Sequence, residues 1–119
     1  MADNKYPKNM DKECISLCEA INNVPGLHTI ESCCGHGKEP FRIWFHVEFP
    51  DDLPVLLYYC DPCHVGFTWR CTVSTDCAMS PVHFMLESEA VGEEAYKQSE
   101  TIADHVNSSF EMVDEEPND

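Results

Sequence analysis

The sequence predicts an α+β fold. It is expected to be a single domain with the element order α-β-β-α-β-β-α, whose mainly antiparallel four-stranded sheet has helices packed on one face. Near both ends of the chain, apolar residues recur every three or four positions, which is the period of an amphipathic helix. In the middle they alternate with polar residues, most regularly from Phe41 to Phe49, which is the period of a half-buried strand. The length of 119 residues suits one hydrophobic core.

The N-terminal half is expected to hold one helix and two strands. Residues 1–8 form a flexible polar start, and Asn9 can cap the helix that follows. That helix ends at Val24-Pro25-Gly26, because proline and glycine disfavour its continuation. A short strand spans Leu27–Cys33, and the alternating strand Phe41–Phe49 follows after a loop. The expected apolar face of the helix consists of Met10, Cys14, Leu17, Cys18 and Ile21.

The C-terminal half is expected to repeat this pattern and to add a last helix. A second helix is predicted over Leu53–Cys60, after two aspartates that can cap it. Strands are predicted over Phe67–Ser74 and Val82–Leu86, where apolar and polar residues alternate. The last helix runs from Gly92 to Phe110. Its expected apolar face consists of Ala95, Ile102, Ala103, Val106 and Phe110.

Charge is distributed unevenly along the chain. There are 22 acidic residues against 7 basic ones, which gives a net charge of −15, and after Leu86 the only basic residue is Lys97. The final acids lie in residues 114–119, which are expected to form a disordered tail after the domain of residues 9–113. Such a surface repels nucleic acid and anionic membranes and attracts a basic protein surface. Simple solubility is the other interpretation.

The sequence contains no signal for export or membrane insertion. Its start lacks the apolar segment of a signal peptide. No apolar run approaches the roughly 20 residues that a membrane helix needs. The protein is therefore expected in the cytoplasm, where its eight cysteines should be thiols or metal-bound thiolates rather than disulfides.

The segment Ser32-Cys33-Cys34-Gly35-His36-Gly37 is the most unusual one in the chain. Its glycines permit backbone angles closed to other residues, and successive N–H groups in such a turn can bind an anion. The strand after it presents Arg42, Trp44 and His46 on its polar face, and a later strand adds Arg70. The predicted ligand-binding residues are Ser32, Cys33, Cys34, Gly35, His36, Gly37, Lys38, Arg42, Trp44, His46 and Arg70. A purely structural loop, whose cysteines pack as small apolar residues, is the alternative.

A second group of interest is Cys60-x-x-Cys63-His64. A C-x-x-C turn can place two thiolates on one zinc ion, and His64, Cys71 or Cys77 would complete the site. The chain has no second C-x-x-C at the spacing of a zinc ribbon or finger, so reduced structural cysteines are the alternative. A redox pair fits less well, because this C-x-x-C follows a helix instead of opening one.

A Cys–His nucleophile is a third hypothesis. Cys33 or Cys34 would be activated by His36, His46 or His83. Spacing alone does not place these side chains within hydrogen-bond reach of one another, and no catalytic residue is assigned.

Part of the chain resembles known families. Around residues 10–48, a helix, Asn-x-x-Pro-Gly, a strand ending in Ser-Cys-x-Gly-His and then Pro-Phe-x-Ile-Trp-Phe resemble small uncharacterised proteins of phages and bacteria. The segment from Ser32 to His36 also resembles the Ser-Cys-Ser-Gly-Arg segment of the wybutosine-synthesis methyltransferase family, where it is associated with an S-adenosylmethionine and tRNA-modifying site. This resemblance implies a ligand-binding loop. It does not extend to methyl transfer, because Cys34 stands where that family has serine and His36 where it has arginine.

These patterns favour a small binding module that is not an enzyme. It would hold an anionic or nucleotide-like ligand at the Ser32–Gly37 loop and the Arg42/Trp44/His46 face. One alternative is an acidic inhibitor of phage type, which blocks a basic nucleic-acid-binding site on a partner protein. Another is a zinc-binding or S-adenosylmethionine-dependent enzyme. Zinc is the cofactor that the cysteines suggest, direct binding to nucleic acid or membrane is not expected, and a homo-oligomer is left open.

Overall fold

The computed structural model describes residues 11–61, 65–74 and 83–114, with the backbone alone at residue 74 and residues 110–114. It confirms the predicted fold class and the element order α-β-β-α-β-β-α. The elements are a 3-10 turn at Lys12–Cys14, α1 at Ile15–Asn23, β1 at Leu27–Cys33, a 3-10 turn at Gly35–Gly37, β2 at Pro40–Val47, α2 at Leu53–Tyr58, β3 at Trp69–Ser74, β4 at His83–Val91 and α3 at Gly92–Asp114.

The four strands form one antiparallel sheet in the order β1-β2-β4-β3. Each half of the chain supplies a pair of strands, and the two pairs meet where β2 lies beside β4. Arg42 of β2 pairs with Glu87 of β4, and Glu87 pairs in turn with Arg70 of β3. The strands β1 and β3 are the edges of the sheet.

The core lies between the sheet and the helices α1 and α3, which pack against each other and against the strands. The alternation seen in the sequence has the predicted effect, since Phe41, Ile43 and Phe45 are fully buried while the residues between them are half-buried. Leu86 of β4 extends the same apolar layer. The helices supply Leu17, Cys18, Ile21, Ala95, Ile102, Ala103 and Val106, all of them buried.

Several boundaries differ from those expected. The strand β2 ends at Val47 instead of Phe49, because Val47 is opposite Leu27, the residue at which β1 begins. The strand β4 continues to Val91, because its second half pairs with the start of β2. The helix α3 runs past Phe110 to Asp114.

The first helix also starts later than expected. Its α-helical part begins at Ile15, after the 3-10 turn, and the expected cap Asn9 lies outside the described residues. Some apolar side chains of the predicted strands and helices are exposed, among them Phe49 by 42%, Leu57 by 37% and Val73 by 59%. Val73 is on β3, which is an edge strand among the strands described. None of the helices in the described ranges combines the length and the apolar character needed to cross a membrane.

The opposite face of the sheet carries polar and aromatic side chains. Trp44 is opposite Met85, and His46 is opposite His83, so these side chains form rows across the central strands. All four are half-buried. We call this surface the open face, and the β1–β2 loop lies at one end of it.

Candidate functional site

The loop between β1 and β2 has an unusual backbone. Gly35, His36 and Gly37 have φ angles of 84°, 52° and 82°, so three consecutive residues lie in the left-handed region. For a residue with a side chain this conformation costs about 1–2 kcal/mol. Non-glycine residues held in it often belong to functional sites. Gly35 and Gly37 therefore do adopt backbone angles that are unfavourable for other residues, which is the freedom that the sequence offered at this loop.

The backbone N–H groups of this loop donate to groups of the chain itself. The N–H of Gly35 donates to Cys33 Sγ at 3.4 Å, and the N–H of His36 donates to Cys34 Sγ at 3.4 Å. The N–H of Cys34 donates to Asp11 Oδ2 at 3.0 Å. The N–H groups expected to face an external anion therefore point at sulfur and carboxylate.

Asp11, Cys33 and His36 bring three different metal-ligating groups together. One atom from each, a carboxylate oxygen, a thiol sulfur and an imidazole nitrogen, lies within 4.8 Å of the other two. The distance between His36 Nε2 and Asp11 Oδ2 is 4.0 Å. Asp11 and Cys33 are half-buried and His36 is exposed. This is the one group of three or more such side chains found this close together within residues 11–61, 65–74 and 83–114.

Asp11 carries a negative charge at neutral pH. The hydrogen bond from the N–H of Cys34 lowers the pKa of its carboxyl group, more than burial raises it. Asp11 lies before α1, and it contacts the loop through this hydrogen bond although Cys34 is 23 residues further along the chain. No local pattern around Asp11 indicated this role.

The two neighbouring cysteines point in different directions. Cys34 is buried, and its sulfur lies 3.8 Å from the Tyr96 hydroxyl, which donates to it, and 3.9 Å from His36 Nδ1. Burial raises the pKa of the Cys34 thiol. Cys34 therefore belongs to the core as a neutral thiol, whereas Cys33 belongs to the surface of the loop. Tyr96, from α3, was not among the predicted site residues.

The open face continues from the loop. Cys33 pairs with Arg42 on β2, so the two side chains lie on the same side of the sheet. Arg42 donates from Nε to Glu87 Oε2 at 3.0 Å, and its Nη1 lies 3.8 Å from Glu39 Oε1. Arg70 is exposed on the far side of Glu87.

Further from the loop, the open face carries three histidines in one row. His28, His46 and His83 are opposite one another on β1, β2 and β4. The rings of His28 and His46 stack with their centroids 4.9 Å apart, and those of His46 and His83 lie 6.4 Å apart. His46 is four residues along the strand from Arg42, about 13 Å away. Trp44 lies between them.

The predicted ligand-binding residues thus fall into three places. Cys33, His36, Gly37 and Lys38 lie at the surface of the loop, while Cys34 and Gly35 are buried beneath it. Ser32 is on the other face of the sheet, opposite Ile43, and it lowers the pKa of the Cys14 and Cys18 thiols less than burial raises it. The remaining residues, Arg42, Trp44, His46 and Arg70, lie on the open face.

The second predicted group is only partly described. Cys60 is 5% exposed, and burial raises the pKa of its thiol to about 12. Cys71 is close enough to raise it further, and burial raises the pKa of Cys71 itself to about 11. Both are therefore neutral thiols in the structure. Cys63, His64 and Cys77 lie outside the described residues.

Comparison of the chain with family models, curated proteins and solved structures gave no match in any of the three.

Proposed function

We propose that this chain is a small binding module that holds an anionic or nucleotide-like ligand where the Ser32–Gly37 loop meets the open face. The observation that carries the proposal is the pairing of Cys33 with Arg42. It makes the strained loop and the row of Arg42 and Trp44 one continuous surface. A ligand on this surface would contact residues of β1, the loop and β2 together.

The chemistry of this surface suits an anion with an aromatic or flat part. Lys38, Arg42 and Arg70 are three of the seven basic residues in the chain, and all three lie at this end of the sheet. Arg42 is held in place by Glu87 at 3.0 Å, while its longer contact with Glu39 involves an exposed carboxylate that is 67% accessible. An incoming anion can replace Glu39 without disturbing Glu87. Trp44 offers a ring face for stacking against a base.

Nuclear magnetic resonance of the labelled full chain tests this proposal. Inorganic phosphate and adenosine monophosphate are the probes, and the parent should show chemical-shift changes at the amides of the loop and β2. Arg42→Gln should weaken binding at least tenfold, because a hydrogen bond to a charged group contributes about 1.5–3 kcal/mol. Lys97→Gln, which removes the same charge from α3, should bind like the parent.

Two results would contradict the proposal. One is the absence of shift changes with either probe, both in metal-free protein and in protein with added zinc. The other is equal binding by Arg42→Gln and the parent, which would show that the probes bind elsewhere. Because Arg42 is 31% exposed and off the core side of β2, its replacement should leave the fold intact.

The acidic inhibitor is a second candidate, favoured by the charge of α3. Glu93, Glu100 and Asp104 are exposed and spaced so that they share one face of the helix. A basic partner would meet this face without using the loop. Replacing Glu100 and Asp104 by Gln and Asn should weaken binding of an oligoarginine peptide in a salt-dependent way, and should leave phosphate binding unchanged. The alternative that this chain is an S-adenosylmethionine-dependent enzyme stays a prediction made from the sequence alone.

A further inference from the structure

We infer that Asp11, Cys33 and His36 form a zinc site with an open fourth position, and that the anionic ligand of the proposed function binds there as the fourth zinc ligand. The part that concerns zinc is independent of the proposed function, and the part that concerns the anion rests on it. The site differs from the one expected at Cys60 and Cys63.

The distances between the three ligand atoms suit a zinc site whose ligands move slightly closer together when the ion binds. Zinc binds sulfur at about 2.3 Å and nitrogen or oxygen at about 2.0–2.2 Å in a tetrahedral arrangement, so the ligand atoms are separated by roughly 3.3–3.6 Å. The separation between His36 Nε2 and Asp11 Oδ2 is 4.0 Å, and no pair of the three ligand atoms is further apart than 4.8 Å. The His36 side chain is 70% exposed, so its ring can move by the remaining distance.

The backbone positions the ligands before any ion arrives. The N–H of Cys34 holds the carboxylate of Asp11, and the N–H of Gly35 donates to the sulfur of Cys33. Hydrogen bonds of this kind orient metal ligands and increase affinity for the metal. The left-handed backbone at His36, between two glycines that also have positive φ, directs the imidazole to the same place. A role of the His36 ring as a metal ligand would explain why this residue is held in an unfavourable backbone conformation.

The charges also favour a cation. The chain carries a net charge of −15, which raises the local concentration of divalent ions. One carboxylate and one thiolate neutralise Zn²⁺ and leave room for a fourth ligand. Three protein ligands with an open position are typical of zinc sites that bind water or a substrate.

The same arrangement explains how an acidic protein would hold an anion. The N–H groups of Cys34, Gly35 and His36 already donate to the chain's own groups, so they are not available to an external anion. A zinc ion beside Cys33 would offer the anion an open coordination position, and Arg42 across the strand pair would supply the positively charged second contact.

The zinc part is tested on the full-length protein after removal of metal by a chelator. Cobalt(II) is added first, because thiolate ligation gives a sulfur-to-cobalt charge-transfer band, and zinc binding is then measured by calorimetry. We expect one zinc per chain. Cys33→Ser should lose the charge-transfer band, and both Cys33→Ser and His36→Asn should weaken zinc binding at least about tenfold. Asparagine tolerates the left-handed region, so His36→Asn removes the ligand and keeps the loop.

The control is Cys63→Ser, which removes a ligand of the other predicted site. It should bind zinc like the parent and keep the cobalt band. Loss of zinc from Cys63→Ser, or parent-like zinc affinity and cobalt spectrum in Cys33→Ser, would overturn the assignment. Failure of the parent to bind zinc would overturn it as well.

The anion part is tested by adding inorganic phosphate to zinc-loaded and zinc-free protein. Binding to the zinc-loaded form alone supports the inference. If phosphate binds the zinc-loaded and the zinc-free parent equally, and if this binding is lost in Arg42→Gln, zinc has no role in holding the anion. The proposed function is then still supported. Zinc binding without phosphate or adenosine monophosphate binding in either form overturns the proposed function and leaves the metal site standing.

Discussion

Replacement of Gly35 by alanine should destabilise the protein more than the same replacement at Gly37, although the two residues have nearly the same backbone. Their φ angles are 84° and 82°. A Cβ at Gly35 would lie 2.9 Å from the carbonyl oxygen of Pro40 and 3.2 Å from its carbonyl carbon. A Cβ at Gly37 would have nothing within 4 Å. The pair therefore separates the cost of the backbone angle from the cost of the contact.

The expected magnitudes follow from these two contributions. The left-handed conformation costs an alanine about 1–2 kcal/mol at either position. At Gly35 the contact involves main-chain atoms, which have no rotamer to change, and overpacking of this kind costs typically about 1–3 kcal/mol more. Gly37→Ala should thus lose about 1–2 kcal/mol of unfolding free energy, and Gly35→Ala about 2–5 kcal/mol.

Urea unfolding of both variants, followed by tryptophan fluorescence, measures the difference. A slope of unfolding free energy against urea equal to that of the parent would show that the same transition is being compared. If the two variants lose the same free energy, the contact with Pro40 does not exist as described. If neither is destabilised, the left-handed backbone of the loop is wrong as well.

Three other predictions concern the core and the end of the chain. Burial raises the pKa of Cys60 to about 12 from an ordinary 9.0, so the folded chain keeps a proton that the unfolded chain loses. Stability should therefore be retained below pH 9 and fall towards pH 12, with a contribution from this thiol of up to about 1.4 kcal/mol per pH unit. Trp69→Phe should cost about 1–3 kcal/mol, because it leaves the buried Gln98 Oε1 without its donor, now at 2.9 Å. Deletion of residues 115–119, which have no apolar pattern, should leave the melting temperature unchanged.

Each of these predictions has its own control. Cys60→Ala should reduce the alkaline slope of stability, and an unchanged slope would show that this thiol does not titrate as described. Adding Gln98→Met to Trp69→Phe should cost less than the two single changes together, and additive losses would mean that the hydrogen bond contributes nothing. A lower melting temperature after the deletion would show that the last five residues stabilise the fold.

Much of the fold was predictable because its signals are local. The strand Leu27–Cys33 was predicted with the bounds it has. The alternation in the next strand identified Phe41, Ile43 and Phe45 correctly as buried, whereas Phe49 at its predicted end is exposed. Where a predicted strand boundary or a predicted burial was wrong, the cause was the arrangement of neighbouring strands, which the local sequence does not reveal. The end of β2 depends on where β1 begins, and the exposure of Val73 depends on β3 being an edge strand.

The site was predictable only in part for the same reason. The glycines at 35 and 37 marked the loop, and the alternation placed Arg42 beside it on the open face. Asp11 and Tyr96 were missed because they reach Cys34 from 23 and 62 residues away, with no motif of their own. A zinc site was predicted at Cys60 and Cys63, since C-x-x-C is a recognisable metal-binding spacing. The spacing of Asp11, Cys33 and His36 in the sequence matches no such pattern.

The order of strands in the sheet has a consequence for how the protein is made on the ribosome. The two central strands, β2 and β4, pair through residues that are far apart in the sequence, such as Arg42 and Glu87, which are 45 positions apart. The helix α1 packs against α3, the last helix described. When β2 leaves the exit tunnel, Phe41, Ile43 and Phe45 have a neighbour on one side only and no helix α3 above them. The nascent chain therefore presents an apolar strand until its final elements emerge, and it is during this interval that it would need a chaperone.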